Sequence, residues 1–402
     1  MSETIYDCVI IGGGISGISF AHYLHSIGKN TLILEKNEYI GGQLQTAYSQ
    51  DSDCYWRELG SHTCYNSYIG LISIVKEIGK ENQIQPLDKF KYVVYASDKI
   101  KSIFSEISIL PCIFSFPKLF FADKKGKTVR EYFRPLFGKS NYDRLFTNAF
   151  RAVICQKADD YPAEMFLKRR KGRDKEFPRK FTFKDGLSSF LKAIVKEDNL
   201  SVHRSAEVLK IYKVDNLYKI ETKDGYSYFS RNIAIATNPQ IASALTKNIE
   251  PNVSTLLSTI PLFNSESLNI TIPKEKLSIK NIAGIISLSD EFMSAVSRDL
   301  VYDEKLRSFT FHFEKGKKSK QEKIDLICKV LNISQSDILE IASADHTLAS
   351  ARMKHLHMDE QIDKVREDKN IYILGNYYYG LSLEDCINRS LDEFERFKEQ
   401  YK

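Results

Sequence analysis

The chain has 402 residues, 43% hydrophobic and 27% charged, which favours two domains and a soluble globular protein. Its 58 basic and 52 acidic residues leave a net charge of +6, too mild by itself to mark a nucleic-acid binder. No run is long enough for a membrane-spanning helix. The seven cysteines, odd in number and without C-x-x-C, point to reduced thiols in a cytoplasmic protein rather than a disulfide frame or a zinc site. No signal peptide is expected, because no basic region precedes an apolar core and cleavage would remove the first motif.

That motif spans residues 7–35, DCVIIGGGISGISFAHYLHSIGKNTLILE. A short apolar strand, 8–11, runs into Gly12, Gly14 and Gly17, spaced as G-x-G-x-x-G. A helical pattern follows (Ile15, Ile18, Ala21, Leu24, Ile27) and stops at Gly28. A second strand, 31–34, ends in Glu35. Gly12 permits the tight turn, Gly14 lets a pyrophosphate approach the backbone, and Gly17 lets helix and sheet pack closely. The helix N-terminus, at Ile15 and Ser16, faces the phosphates. Glu35 can accept from a ribose 2′-hydroxyl and argues against a 2′-phosphate, although Lys36 follows it. An adenine dinucleotide is therefore expected. FAD and NAD share this fingerprint, so the choice between them rests on the rest of the chain.

Residues 36–46, KNEYIGGQLQT, carry a second double glycine, Gly41 and Gly42, and residues 56–63 read WRELGSHT. Fingerprint, acid, second double glycine and E-x-G-[SG] turn together resemble the FAD-dependent amine oxidase and protoporphyrinogen oxidase superfamily. In that family an arginine usually follows the second double glycine and lies on the diphosphate. Here Gln43 stands there, an amide without the charge-assisted contribution. The resemblance places Gly60, Ser61 and His62 near the isoalloxazine.

Residues 69–81 read as an amphipathic helix, and 90–96 as a strand followed by a turn at Asp98-Lys99. Residues 103–122 are apolar but broken by Pro111 and Pro117. They read as a buried segment of a second domain, with a substrate-channel lining or a membrane-surface contact as the functional alternatives. Helices are expected over 128–137 and 142–154. Residues 168–180, KRRKGRDKEFPRK, hold eight Lys or Arg among thirteen. This run reads as a solvated loop, or as an anion collector at a substrate entrance or an anionic membrane surface; no nucleic-acid motif accompanies it.

Residues 207–229 alternate as two or three strands around the hairpin turn Asp224-Gly225. Val208 matches the family's valine, whose backbone meets adenine. An apolar strand, 232–236, leads to Thr237-Asn238-Pro239. Strand-like pieces at 268–272, 282–288 and 308–313 and a helix near 322–331 then belong to the second domain.

The C-terminus decides the cofactor. Residues 370–376, NIYILGN, read as a buried strand ending in Gly375 and Asn376. Tyr377, Tyr378, Tyr379 and Gly380 follow, then a helix over 383–400. Ser382 is its expected N-cap, with Asp385 completing a capping-box pattern at Leu383. This series closely resembles the C-terminal FAD motif of protoporphyrinogen oxidases, so FAD is expected and NAD is not. The resemblance implies that the N-terminus of this helix stabilises the reduced flavin.

The resulting expectation is an α/β chain. A discontinuous Rossmann-like FAD-binding domain takes 1–90, 181–255 and 346–402, and an α+β substrate-binding domain takes 91–180 and 256–345. The function expected is an FAD-dependent oxidoreductase that dehydrogenates a C–N or C–C bond of a small molecule by hydride transfer to flavin N5. No catalytic base stands out; His62 and Tyr378 are candidates. No metal is expected, since the pair His355 and His357 alone does not make a site. Residues 344–357 depart from the family's stretch before the last strand, so the resemblance does not carry the porphyrinogen substrate over. A UDP-galactopyranose mutase-like flavoenzyme shares the double glycine and the G-[AS]-H turn, but Asn376 with Asp385-Cys386 suits it poorly. A flavin- or NAD-binding interaction protein without turnover is the third reading, and no partner-helix stripe or repeat supports it.

Overall fold

A computed structural model describes residues 4–50, 55–109 and 122–400. Its first sheet begins with the apolar strand Ile5–Ile11, in which Cys8, Val9 and Ile10 are fully enclosed. Burial on both faces is what a run without alternation requires. Five parallel strands lie in the order Ser201–His203, Thr31–Leu34, Ile5–Ile11, Ser227–Ile235, Ile371–Ile373. In chain order this is the doubly wound arrangement, whose ligand crevice lies at the carboxyl ends of the central strands. The strand Ser227–Ile235 is long enough to carry the hairpin of Val208–Val214 and Leu217–Thr222 on its first half as well. The turn at Gly225, with φ of +87°, joins Leu217–Thr222 to Ser227–Ile235.

Helix Ile15–Ser26 is buried at every position from Ile15 to Leu24, as expected of a helix that is apolar nearly all round. It packs against Leu187–Glu197 and the C-terminal helix Leu383–Glu399. The Ser390 hydroxyl of that last helix donates to the Ser16 carbonyl at 2.8 Å, fixing the two together.

The second sheet runs in the order Glu340–Ala349, Leu262–Pro273, Leu306–Glu314, Ser294–Ser297, Gly284–Ser287, Tyr92–Ala96, Lys99–Ser102. One face, with Leu268, Ile270, Ile272, Phe309 and Phe311, is covered by helix Lys320–Leu331. The other face carries Ser265, Ser267, Asn269, Thr271, Thr310 and His312, and it too is buried. Hydrogen bonds attach it to the first part of the chain. Thr310 Oγ1 donates to the Glu58 carbonyl at 2.7 Å, and Arg57 donates to Thr271 Oγ1 at 2.9 Å.

Several elements differ from the expectation. The helix expected over 69–81 is Ile69–Glu77, because Gly79 at φ +65° reverses the chain. In place of one helix over 142–154, a π-turn Tyr142–Phe146 precedes helix Thr147–Ile154. The strand Glu340–Ala349 and the helices Pro239–Thr246 and Pro251–Ser258 are additional, and both helices start on a proline whose missing N–H costs nothing at that position. Of the apolar stretch 103–122, residues 110–121 lie outside the described residues. Among the described residues no helix is long and apolar enough to cross a membrane.

Candidate functional site

A cavity of about 1990 Å³ starts at the carboxyl ends of the central parallel strands and reaches the polar face of the second sheet. Its wall takes in Gly12, Gly14, Ile15 and Ser16 from the fingerprint, and Glu35 and Lys36 after the second strand. Gly42, Gln43, Gly60, Ser61, His62 and Val208 follow, and Gly375, Asn376, Ser382 and Leu383 close it at the C-terminal motif. Folding thus collects at one cavity nearly every cofactor candidate that the sequence names. Gly17 is not on the wall. A Cβ there would fall 2.0 Å from the Gly12 carbonyl oxygen, so its role is close packing.

The neighbouring glycines are glycine for other reasons. Gly12 has φ of +111°, and a Cβ would meet the Ala236 oxygen at 2.5 Å. Gly14 has φ of −85° and ψ of −177°, which any residue adopts. A Cβ on it would come no nearer than 3.8 Å to another heavy atom, the Gly42 Cα. The fold alone therefore does not demand glycine at 14. On the cavity side its backbone is open to approach, as a pyrophosphate would require. Gly41 N donates to the Gly13 carbonyl at 2.9 Å, and this bond brings the second double glycine up to the fingerprint loop. Glu35 is buried and accepts from Gly13 N at 2.7 Å and Asn37 N at 2.9 Å, which aims its carboxylate along the loop.

Beyond the glycines, the wall becomes a chain of imidazoles. His62 Nε2 lies 3.3 Å from His312 Nε2, and His312 Nδ1 lies 3.0 Å from Ser267 Oγ. Ser267 Oγ is 3.0 Å from His346 Nε2, which also sits 2.8 Å from the Leu59 carbonyl. His346 Nδ1 faces the Gln43 amide at 2.9 Å. Gln43, expected on the diphosphate, thus turns its amide to His346 and to the Thr347 carbonyl. Burial, aided by His346, pushes the His62 imidazole down to about 3. Burial, with His62 and His346 nearby, holds His312 well below its ordinary value. The sequence singled out His62 but neither His312 nor His346. His312 lies in the strand-like piece 308–313, and His346 in a stretch where no element is expected.

At the other end, Ser382 caps helix Leu383–Glu399 by accepting from Asp385 N at 3.1 Å. The second half of the expected capping box does not form. The Asp385 carboxylate instead takes the Ser382 hydroxyl at 2.7 Å, Lys168 Nζ at 3.2 Å and Arg170 Nη2 at 3.1 Å. The basic run is therefore not simply a solvated loop. Lys168 and Arg170 turn inward to the helix start, while Arg169, Lys171, Arg173 and Lys175 are exposed at the cavity rim.

Tyr378, a catalytic candidate in the sequence, is not on the cavity wall. It is buried in the apolar core behind the parallel sheet, its ring 4.0 Å from the Arg389 guanidinium. The strand Ile371–Ile373 ends just before it, and the following turn sends the side chain to the far face of the sheet. His355 is also buried, with Nε2 3.1 Å from the Thr259 carbonyl. No group of three or more His, Cys, Asp or Glu suited to a metal occurs among the described residues.

Comparison with known proteins agrees with this geometry. The chain is 30% identical over 76 residues to a 15-cis-phytoene desaturase from Synechococcus elongatus, a stretch covering 19% of this chain and 16% of that protein. The chain thus matches about a sixth of that relative's length. A protein assigned as a protoporphyrinogen oxidase, from Exiguobacterium sp. 255-15, superposes with a TM-score of 0.78 at 14% identity, over 99% of this chain and 100% of that one. A CLA-producing fatty acid isomerase from P. acnes superposes with a TM-score of 0.73 at 15% identity, over 98% of each chain. At such identities these likenesses show the fold alone. The profile of the flavin containing amine oxidoreductases matches residues 15–267, well over half of the chain. The chain belongs to that family.

Proposed function

We propose that the enzyme dehydrogenates a C–N or C–C bond of a small molecule that carries an anionic group. The observation behind this reading is that one cavity joins a dinucleotide fingerprint at one end to a run of exposed cations at its rim. Gly12, Gly14, Ile15 and Ser16 would hold the diphosphate of FAD, Glu35 the ribose, and Val208 the adenine side. Gly60, Ser61, His62, Gly375, Asn376, Ser382 and Leu383 would enclose the flavin end. FAD, when bound, supplies the hydride acceptor.

The chain's own residues bind, orient and exclude water. The N-terminus of helix Leu383–Glu399 offers partial positive charge where negative charge develops on reduction. Lys168 and Arg170, tied to Asp385, add full charges beside it. Arg169, Lys171, Arg173 and Lys175 draw an anion to the mouth. Opposite charges attract within a Debye length of about 8 Å at physiological salt, and an amine cation would be repelled by the same groups. The similar P. acnes protein, a fatty acid isomerase by description, pairs this fold with an anionic substrate. The free thiols Cys8, Cys64, Cys155, Cys328 and Cys386 suit a cytoplasmic setting.

The test is anaerobic mixing of the flavin-loaded protein with amphiphilic carboxylates, primary amines and a UDP-sugar, read as bleaching of the visible flavin band. Bleaching by a carboxylate supports the proposal. Bleaching by amines alone removes the anionic substrate. Turnover of the UDP-sugar by the reduced enzyme without net oxidation replaces the dehydrogenase reading with the mutase one.

A further inference from the structure

The imidazole chain of the cavity wall has a proton order that its shortest contacts select. It starts at the Leu59 carbonyl, which can only accept. That oxygen lies 2.8 Å from His346 Nε2, so the proton of His346 is on Nε2. The Gln43 amide faces Nδ1 with its Oε1 at 2.9 Å while its Nε2 donates to the Thr347 carbonyl at 3.3 Å; with the proton of a neutral His346 on Nε2, the amide turns end for end and gives up that long bond. Ser267 Oγ accepts at a nitrogen that already holds its proton, and gives its own hydrogen to His312 Nδ1 at 3.0 Å. A neutral His312 then carries its proton on Nε2 and donates to His62 Nε2 at 3.3 Å. His62 is left with its proton on Nδ1. The reverse order would keep the 3.3 Å bond from Gln43 to Thr347 but set two lone pairs, on Leu59 O and His346 Nε2, against each other at 2.8 Å, and the shorter contact decides.

We propose that His312 is a positioning residue. Through it, the Leu59 carbonyl, His346 and Ser267 hold His62 as the neutral Nδ1–H tautomer, a hydrogen-bond donor for an oxygen of the bound flavin or substrate and not a general base. This rests on the reading of the cavity as the flavin and substrate site. Among the described residues, His62 has a hydrogen bond at Nε2 only, so Nδ1–H is the proton it has to offer. The titratable groups acting on the chain are the three imidazoles and the Asp345 carboxylate beside His346. Burial lowers His346, opposed by its bond to Leu59 and by Asp345. All three rings are neutral at pH 7 on these directions, which is the state the order requires.

The test is nitrogen NMR of the histidine-labelled holoenzyme, which reports tautomer and protonation without any substrate. In the wild type, His62 is expected as the Nδ1–H tautomer, with no titration between about pH 5 and 8. His312→Gln keeps an N–H donor opposite His62 Nε2 and should preserve this signature. His312→Leu and Ser267→Ala should release it: His62 then shows both tautomers or protonates inside that range. The second of these variants guards against misfolding of the first. A wild-type His62 that carries its proton on Nε2, or that titrates near its ordinary pKa, would overturn the proposal. So would an unchanged His62 signal in both His312→Leu and Ser267→Ala. Because the readout needs no turnover, a failed substrate screen with an intact Nδ1–H signal would count against the dehydrogenase reading and not against this one.

Discussion

Replacing Gly14 with Ala separates ligand-imposed from fold-imposed glycine. The backbone at Gly14 is already extended, and a Cβ there has no neighbour nearer than 3.8 Å. Lost unfolded-state entropy should stabilise the variant by about 0.4–1 kcal/mol. Gly14 is also the N-cap of helix Ile15–Ser26, and alanine is a poorer cap than glycine by a similar amount, roughly 0.5–1 kcal/mol. The apoprotein should therefore melt within about 2 °C of the wild type. The methyl group would stand where the pyrophosphate approaches, and FAD affinity should fall about a hundredfold, roughly 2.7 kcal/mol. At FAD of about one hundred times the wild-type Kd, linkage stabilises the wild type by about 2.7 kcal/mol and the variant by only about 0.4 kcal/mol. At roughly 2 °C per kcal/mol, the FAD-induced shift in Tm should shrink by about 5 °C. Thermal melts with and without added FAD read both quantities. Gly17→Ala is the control: its Cβ would meet the Gly12 oxygen at 2.0 Å, so it should lose several kcal/mol with or without FAD. The reasoning fails if Gly14→Ala melts as low as Gly17→Ala, or if FAD raises its Tm as much as that of the wild type.

Other expectations follow from the same contacts. Replacing Arg169, Lys171, Arg173 and Lys175 together with Ser should raise KM for an anionic substrate roughly tenfold at low salt, fading as salt rises, with the flavin spectrum unchanged; Lys168 and Arg170 are spared because they hold Asp385. Release of the quadruple variant from anionic liposomes with unaltered KM would instead assign the run to a membrane surface. Burial opposes charging of His22, but its bonds to Asp198 and Glu77 raise its pKa overall. That stability is full below the unfolded value of 6.5 and lost as pH rises through the raised folded value. The Tm gap between wild type and His22→Gln should thus be widest below pH 6.5 and narrow as the pH rises above it. Burial pushes the Glu58 carboxyl up to about 8, against bonds from Leu187 N and Thr46 Oγ1. Its contribution is present below about 4.5 and lost as pH rises through about 8, so Glu58→Gln should gain up to about 5 kcal/mol at alkaline pH in urea melts. Tyr378→Phe should leave turnover unchanged and stability within about 1 kcal/mol.

Local chemistry made most of the cavity legible. The fingerprint, the second double glycine, the G-S-H turn and the C-terminal glycine each fix a short backbone shape, and such shapes read directly from residue type. Side-chain destinations were less legible. Tyr378 follows the C-terminal glycine in sequence, yet the turn sends it to the core behind the sheet. His312 lies in a strand whose alternation does not tell which face is covered, and His346 in Glu340–Ala349, where the sequence has no regular alternation to mark a strand. The structure buries the polar face against the strand Trp56–Glu58 and the turn after it, a long-range contact that no local pattern encodes. The basic run 168–180 shows the converse. Its charges are visible in sequence, but only Asp385, more than two hundred residues on, decides that Lys168 and Arg170 turn inward.

The most direct measurement is the visible absorption spectrum of the purified protein, followed by release and identification of whatever it has bound. The account requires a yellow protein that releases a single FAD per chain on denaturation, with no flavin left covalently attached. A colourless protein that binds NAD and not FAD in calorimetry would contradict it.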